Sequence, residues 1–216
     1  MSASYLSPWA SRPVLSDGLE RHPLLPFLPE GMQVLFLGSF PPPRKRWCMD
    51  FFYPNFINDH WRIEGLLFFG DALHFVDSQA HAFHLDAIVP FLQSKGIGFY
   101  DTATSVRRLA GNASDKCLEV VEPTDIVALT ASFPCLRALV VTGEKATRTA
   151  CDTLSIDMPP KMGQSVPVPS LSTGGRQVRL YRLPSSSRAY PMRLADKAAY
   201  YGRMFSEVGL DPLPLP

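Results

Sequence analysis

Four short stretches rich in apolar residues punctuate this chain, each closed by turn-forming or polar residues and separated from the next by stretches with helical spacing. Gln33 to Leu37 ends in Gly38-Ser39-Phe40-Pro41, Ile97 to Tyr100 ends in Asp101, Leu136 to Val141 ends in Thr142-Gly143, and Val178 to Leu183 ends in Pro184. The first, an apolar run closed by turn formers, reads as a buried strand of a parallel sheet, and the other three read as further strands. Between the first two, Asn58 or Asp59 caps a helix beginning near His60, with Trp61, Leu66 and Leu67 recurring at helical spacing. Leu85 to Ser94 predicts a second helix, kinked or delayed at Pro90. Glu122-Pro123-Thr124-Asp125 opens a third that runs to about Ser132, and Glu144 to Leu154 and Arg193 to Val208 predict two more. Pro159 to Gly175, rich in proline, serine and glycine, reads as an irregular excursion.

Strands alternating with helices imply right-handed crossovers and a sheet covered by helices on both faces. Four loops, beginning at Gly38, Asp101, Thr142 and Pro184, then leave the carboxyl ends of their strands, where open α/β sheets bind ligands. Residues 1–31 carry Pro8, Pro13, Pro23, Pro26 and Pro29 with little periodicity and read as a proline-rich arm wrapping the domain. Residues 32–216 read as a single domain, since 216 residues with 46% hydrophobic content suffice for one substantial core.

Composition narrows the chemistry. A net charge of +1 announces no global affinity for nucleic acid. Locally, Arg176, Arg179, Arg182, Arg188, Arg193, Lys197 and Arg203 face only Asp196, which predicts either a basic face or ordinary solvated arginines. Cys48, Cys117, Cys135 and Cys151 are widely spaced, so a zinc or iron–sulfur site is disfavoured and reduced thiols, mostly filling the core, are expected. His81 and His84 lack a completing carboxylate, and no histidine receives a ligand role; no metal and no cofactor are expected. No signal-peptide pattern and no membrane-length apolar run occur, which predicts a cytoplasmic protein.

Two stretches carry candidate chemistry on their residue types alone. Arg44-Lys45-Arg46, followed by the ring- and amide-rich Phe51 to Trp61, suits a planar, anionic ligand. Asp101, a carboxylate at the end of a strand, suits a general base, or else a turn beside Thr102.

Gly38-Ser39-Phe40-Pro41, the aromatic segment ending Asn58-Asp59-His60-Trp61, Gly96-Ile97-Gly98-Phe99-Tyr100-Asp101, Thr142-Gly143-Glu144-Lys145-Ala146 and Leu183-Pro184-Ser185-Ser186-Ser187-Arg188 occur in this order. Together they resemble the uracil-DNA glycosylase superfamily, and within it the hypoxanthine (deoxyinosine) DNA glycosylase branch, over roughly residues 31 to 205. The resemblance implies a three-layer α/β/α sandwich around a four-stranded parallel sheet. It also implies a monofunctional DNA N-glycosylase that hydrolyses the bond between a deaminated base, hypoxanthine or uracil, and deoxyribose in base excision repair. By position Asn58 matches the catalytic asparagine of that branch and Trp61 its tryptophan, with Asn55 the nearest competitor. Pro42 stands where the branch has a second glycine, so Pro41-Pro42-Pro43 offer no N–H. His60 stands in place of an aromatic ring, and Thr142 in place of an asparagine that reads the base edge, which leaves the excised base open.

A glycosylase extrudes its nucleotide and replaces the lost stacking with flat rings. The expected substrate-binding set is Gly38, Ser39, Phe40, Pro41, Tyr53, Trp61, Thr142 and Gly143, the rings of Phe40, Tyr53 and Trp61 either stacking on the base or packing the core. Asn58 would orient the attacking water or simply cap its helix, and Asp101 is the ionisable alternative. Ser185, Ser186, Ser187 and Arg188 would hold DNA phosphates or form a plain serine-rich turn, and Arg44 to Arg46 would add non-specific phosphate contacts. The implied partner is DNA containing a deaminated base, bound by a monomer. Two other readings stay open: a catalytically silent nucleic-acid or nucleotide-binding module on the same fold, and a small-molecule hydrolase using Asp101.

Overall fold

The computed structural model describes residues 18–109, 117–172 and 177–215. Leu19–Arg21 forms β1, and the first apolar run forms β2, Val34–Gly38. The chain continues through α1 (His60–Phe69), a small hairpin of β3 (Val76–Asp77) and β4 (Ala82–Phe83), α2 (Leu85–Lys95) and β5 (Ile97–Asp101). Then come β6 (Ala103–Arg108), β7 (Leu118–Pro123), α3 (Ile126–Thr130), β8 (Ala138–Thr142), α4 (Glu144–Leu154), β9 (Ser165–Pro167), β10 (Arg179–Leu183) and α5 (Leu194–Glu207).

The central sheet has the order β5-β2-β8-β10-β9. Its first four strands run parallel, as the alternation of strands with helices predicts, and β8 has every residue buried. The fifth strand, β9, pairs antiparallel with β10 at the edge. It lies in the stretch expected to be irregular; three residues with none buried give no apolar signal to read. The Phe68 ring contacts Phe91 of α2 and Phe205 of α5, so α1, α2 and α5 form one helical layer. Helices α3 and α4 touch one another, and right-handed crossovers put them on the other face. The result is an α/β/α sandwich whose core contains Phe36, Trp61, Phe99, Tyr201 and Phe205.

A second, three-stranded antiparallel sheet of order β1-β6-β7 packs beside the first. It ties part of the expected wrapping arm to the domain: Leu19, Glu20 and Arg21 pair with Arg107, Val106 and Ser105, while residues 1–17 lie outside the described residues. It also corrects one expectation. Glu122 and Pro123 end β7 rather than opening a helix, and the Asp125 carboxylate instead caps the short α3 by accepting from the Ala128 N–H.

The register of the central sheet sets the site. Gly38 lies opposite Asp101, and Thr142 opposite Leu183, so the four carboxyl-end loops begin side by side. From β2 the chain crosses to β5 on one flank, and from β8 to β10 on the other. The crevice between the loops after β2 and β8 is therefore the topological switch point.

Candidate active site

A cleft of about 1280 Å³ opens at that switch point. Gly38, Ser39, Phe40, Pro41, Tyr53, Asn58, Asp101, Thr142, Ser185, Ser186 and Ser187 all line it, together with Asn55. The register explains Gly38: a Cβ there would collide with Asp101 Oδ1, so the carboxylate occupies the space that a side chain would fill. Asp101 is 7% exposed; its Oδ2 lies 2.8 Å from His22 Nε2. Its backbone carbonyl accepts from the Thr124 hydroxyl at 2.7 Å.

Asn58 is half-buried on the segment leading into α1. Its Oδ1 accepts from the His60 N–H at 2.9 Å, so one lone pair serves the helix start while the amide NH2 is left for the cleft. Tyr53 has a left-handed backbone, φ 49°, and stacks on His60 with ring centroids 3.9 Å apart and planes 6° from parallel. Its hydroxyl lies 3.4 Å from Thr142 Oγ1, so a ring and two hydroxyls meet on one wall.

Phe40 lines the cleft but is largely buried, wedged between the edge-on His22 ring at 5.2 Å and the Arg108 guanidinium at 5.7 Å. Trp61 is a correction to the expected set. It is fully buried in the core, and its indole N–H donates to the Phe52 carbonyl at 3.2 Å, so it reaches no ligand in the cleft. Gly143 is not among the lining residues; with φ 98° it precedes α4 as its N-cap. The triple proline acts through its carbonyls: Pro41 accepts from Arg108 Nη2 at 2.6 Å and Pro42 from Trp47 Nε1 at 2.7 Å.

The serine loop is shaped by its own hydroxyls. Ser185 Oγ accepts from the Ser187 N–H, and Ser187 Oγ from the Ala189 N–H, each at 3.2 Å. A buried ion network absent from the sequence expectations fastens it to the Asn58 segment. Lys197, fully buried on α5, donates to Asp59 Oδ2 at 3.0 Å and to the Ser187 carbonyl at 2.8 Å. Arg188 donates to Asp59 Oδ1 at 2.9 Å, and the Asp59 N–H donates to the Ser186 carbonyl. Arg188 is thus held by a carboxylate rather than presented within the cleft lining.

The expected basic face is dispersed. Arg182 pairs with Glu144 and Arg193 with Asp196, Lys197 is buried, Arg179 holds Ser165 at the far edge, and Arg176 lies outside the described residues. Arg46, Lys145 and Arg148 line the cleft, faced by Asp101, Glu119, Glu144 and Asp152. The paired arginines hold Glu144 below the usual carboxylate range, chiefly through the Arg148 hydrogen bond. The four cysteines are unpaired, yet only Cys151 is buried; the half-buried Cys48 thiol donates to the Pro54 carbonyl and braces the loop, with burial raising its pKa. Among the described residues no metal-binding group of three or more ligand side chains occurs, and no helix is long and apolar enough to cross a membrane.

His22, Arg108 and the β7 residues Glu119 and Val120 are invisible to the sequence pattern as parts of a site. Each reaches it through tertiary contacts with partners far along the chain, and no local motif marks them.

No protein-family model matches the chain, and no curated protein matches it. Among solved structures it is similar to the solution NMR structure of "a putative Uracil DNA glycosylase from Methanosarcina acetivorans", at 23% identity and a TM-score of 0.57 over 88% of this chain and 98% of that one. The chain thus shares the α/β fold of that structure, and its own cleft lies at the carboxyl ends of its parallel strands.

Proposed function

We propose that this protein is a monofunctional DNA glycosylase that removes a deaminated base, hypoxanthine or uracil, from DNA in base excision repair. The observation that carries the reading is the meeting of Asn58, Asp101, Tyr53 and Thr142 in one cleft at the switch point of this fold. In this reading the target nucleotide is extruded, its base lies against the Tyr53 ring, and the Tyr53 and Thr142 hydroxyls meet the base edge. Asn58 orients a water and Asp101 takes its proton. The water oxygen bonds to the sugar C1′, the C1′–N bond breaks, and its electron pair leaves with the base. Donors around the base stabilise the charge that develops there. Ser185, Ser187, Arg44, Lys45 and Arg46 contact flanking phosphates, which makes binding salt-dependent. The protein acts as a cytoplasmic monomer.

The test is a base-release assay on oligonucleotides containing uracil, hypoxanthine or xanthine. Abasic sites are expected with at least one substrate, and Asn58→Ala is expected to lower the rate by about 100-fold or more while the fold survives. Full activity in that variant overturns the role of Asn58. Binding without release on every base selects a silent binding module instead. A second reading is favoured by the four carboxylates in the cleft, which oppose a polyanion: a small-molecule hydrolase using Asp101. Absence of salt-dependent DNA binding would select it.

A further inference from the structure

We propose that His22 is a positioning residue for the Asp101 carboxylate, and that the two form a buried dyad in the cleft wall. The proposal rests on the glycosylase reading for the identity of the reaction and on geometry for the dyad itself. His22 is 6% exposed and lies 79 residues from Asp101 in sequence, with its Nε2 2.8 Å from Asp101 Oδ2.

The ring is built into place from every side. Its backbone N–H donates to the Thr104 carbonyl at 2.8 Å, extending the β1–β6 pairing by one residue. Tyr100, Phe40 and Phe52 surround it, with ring centroids at 4.7, 5.2 and 6.2 Å. The second nitrogen is equally constrained. Nδ1 lies 3.1 Å from the Leu24 N–H nitrogen and 2.8 Å from the Leu24 carbonyl oxygen. A neutral ring carrying its proton on Nε2 donates to Asp101 and accepts from Leu24; a ring protonated on both nitrogens donates to Asp101 and to the Leu24 carbonyl. Leu24 therefore supplies a partner for either state, and in both states Nε2–H points at the carboxylate.

The consequence falls on Asp101. With Oδ2 held by His22, the carboxylate cannot rotate freely, and Oδ1 is fixed over Gly38 at the cleft wall, where no Cβ fits. That oxygen receives the proton when water attacks C1′; the C1′–N electron pair departs with the base, and Nε2–H keeps its donor role throughout. A carboxylate whose orientation is set in advance spends no free energy on reorganisation at that step. Three separately placed elements thus build one reacting group: β5 carries it, β2 makes room for it, and the segment after β1 orients it.

The test compares the intact protein with His22→Phe, which keeps a ring in the aromatic cage but donates nothing, and His22→Gln, whose amide restores a donor. On the base that the unaltered protein releases, His22→Phe is expected to lower kcat by about 100-fold with KM changed less than about threefold, and His22→Gln to recover at least about tenfold of the loss. Unchanged kcat in His22→Phe, or equal losses in both variants, overturns the proposal. A second measurement needs no substrate. Imidazole nitrogen NMR is expected to show His22 protonated at Nε2, with that proton shifted downfield and returning upfield in Asp101→Ala. A ring protonated on Nδ1 alone overturns the dyad. Failure of the unaltered protein to release any base would count against the glycosylase reading, and the spectrum would still decide the dyad.

Discussion

Asn58 performs at least one task that is not chemical. Its Oδ1 accepts from the His60 N–H, so it satisfies one of the orphan donors at the start of α1, while the Asp59 side chain makes no cap bond and is spent on Lys197 and Arg188. The two alternatives open for Asn58 in sequence, cap and catalytic group, are therefore not exclusive. Substitution separates them. Asn58→Ala is expected to cost about 1 kcal/mol of stability through the lost cap, whereas Asn58→Asp keeps an acceptor and holds its melting temperature near that of the parent. Identical denaturation curves for the parent and Asn58→Ala would show that the bond contributes nothing. Asp101 was legible as a candidate from its place at a strand end, but its partner His22 was not, because nothing local to either residue encodes a contact across 79 positions.

The elements behave according to how much of their burial is written locally. Helix α4 runs from Glu144 to Leu154 as its spacing predicts, because one face buries Ala146, Thr147, Ala150, Cys151 and Leu154 against the sheet. Strand β7 left no such trace, since Leu118 is its one buried residue and its pairing with β6 supplies the order. The join between α5 and the site depends on Lys197, a buried cation whose partners lie on two loops. Lys197→Met leaves Asp59 buried with Arg188 alone. It is expected to destabilise the protein by about 3–5 kcal/mol, measured by chemical denaturation. A loss below about 1 kcal/mol would mean that the network is ornamental to the fold.

Across the whole molecule, the polar pair at the centre of the aromatic core sets a pH response. His60 and Glu64 are fully buried one turn apart on α1, 3.5 Å apart at their nearest nitrogen and oxygen, and all four of their side-chain polar atoms lack a hydrogen-bond partner among the described residues. Such a contact is too long for a good hydrogen bond, and burial keeps both groups neutral rather than paired as ions. Burial lowers the imidazole from 6.5 to about 3 and raises the carboxyl from 4.5 to about 8. The signs oppose each other. The stability linked to Glu64 is present below 4.5 and lost as pH rises through about 8; that linked to His60 is present above 6.5 and lost as pH falls towards about 3. Between 4.5 and 6.5 the two slopes cancel, so stability is expected to plateau there and to fall on either side. Denaturation midpoints across that range and beyond should show the plateau, and Glu64→Gln should remove the alkaline decline; an unchanged decline would assign it to other groups.

The sequence by itself determined the layers of this protein, the four parallel strands and the loops at their carboxyl ends, because apolar periodicity is a local consequence of burial. It also placed Asn58, Asp101, Tyr53, Thr142 and the serine loop on segments that share one cleft, since strand polarity alone gathers those loops. Only the tertiary structure decided that Trp61 belongs to the core, that Arg188 serves Asp59, and that Leu19–Arg21 join a second sheet and bring His22 to Asp101. Those outcomes depend on the depth, pairing and orientation of side chains distant in sequence, and a local pattern of apolar and polar positions carries no term for them.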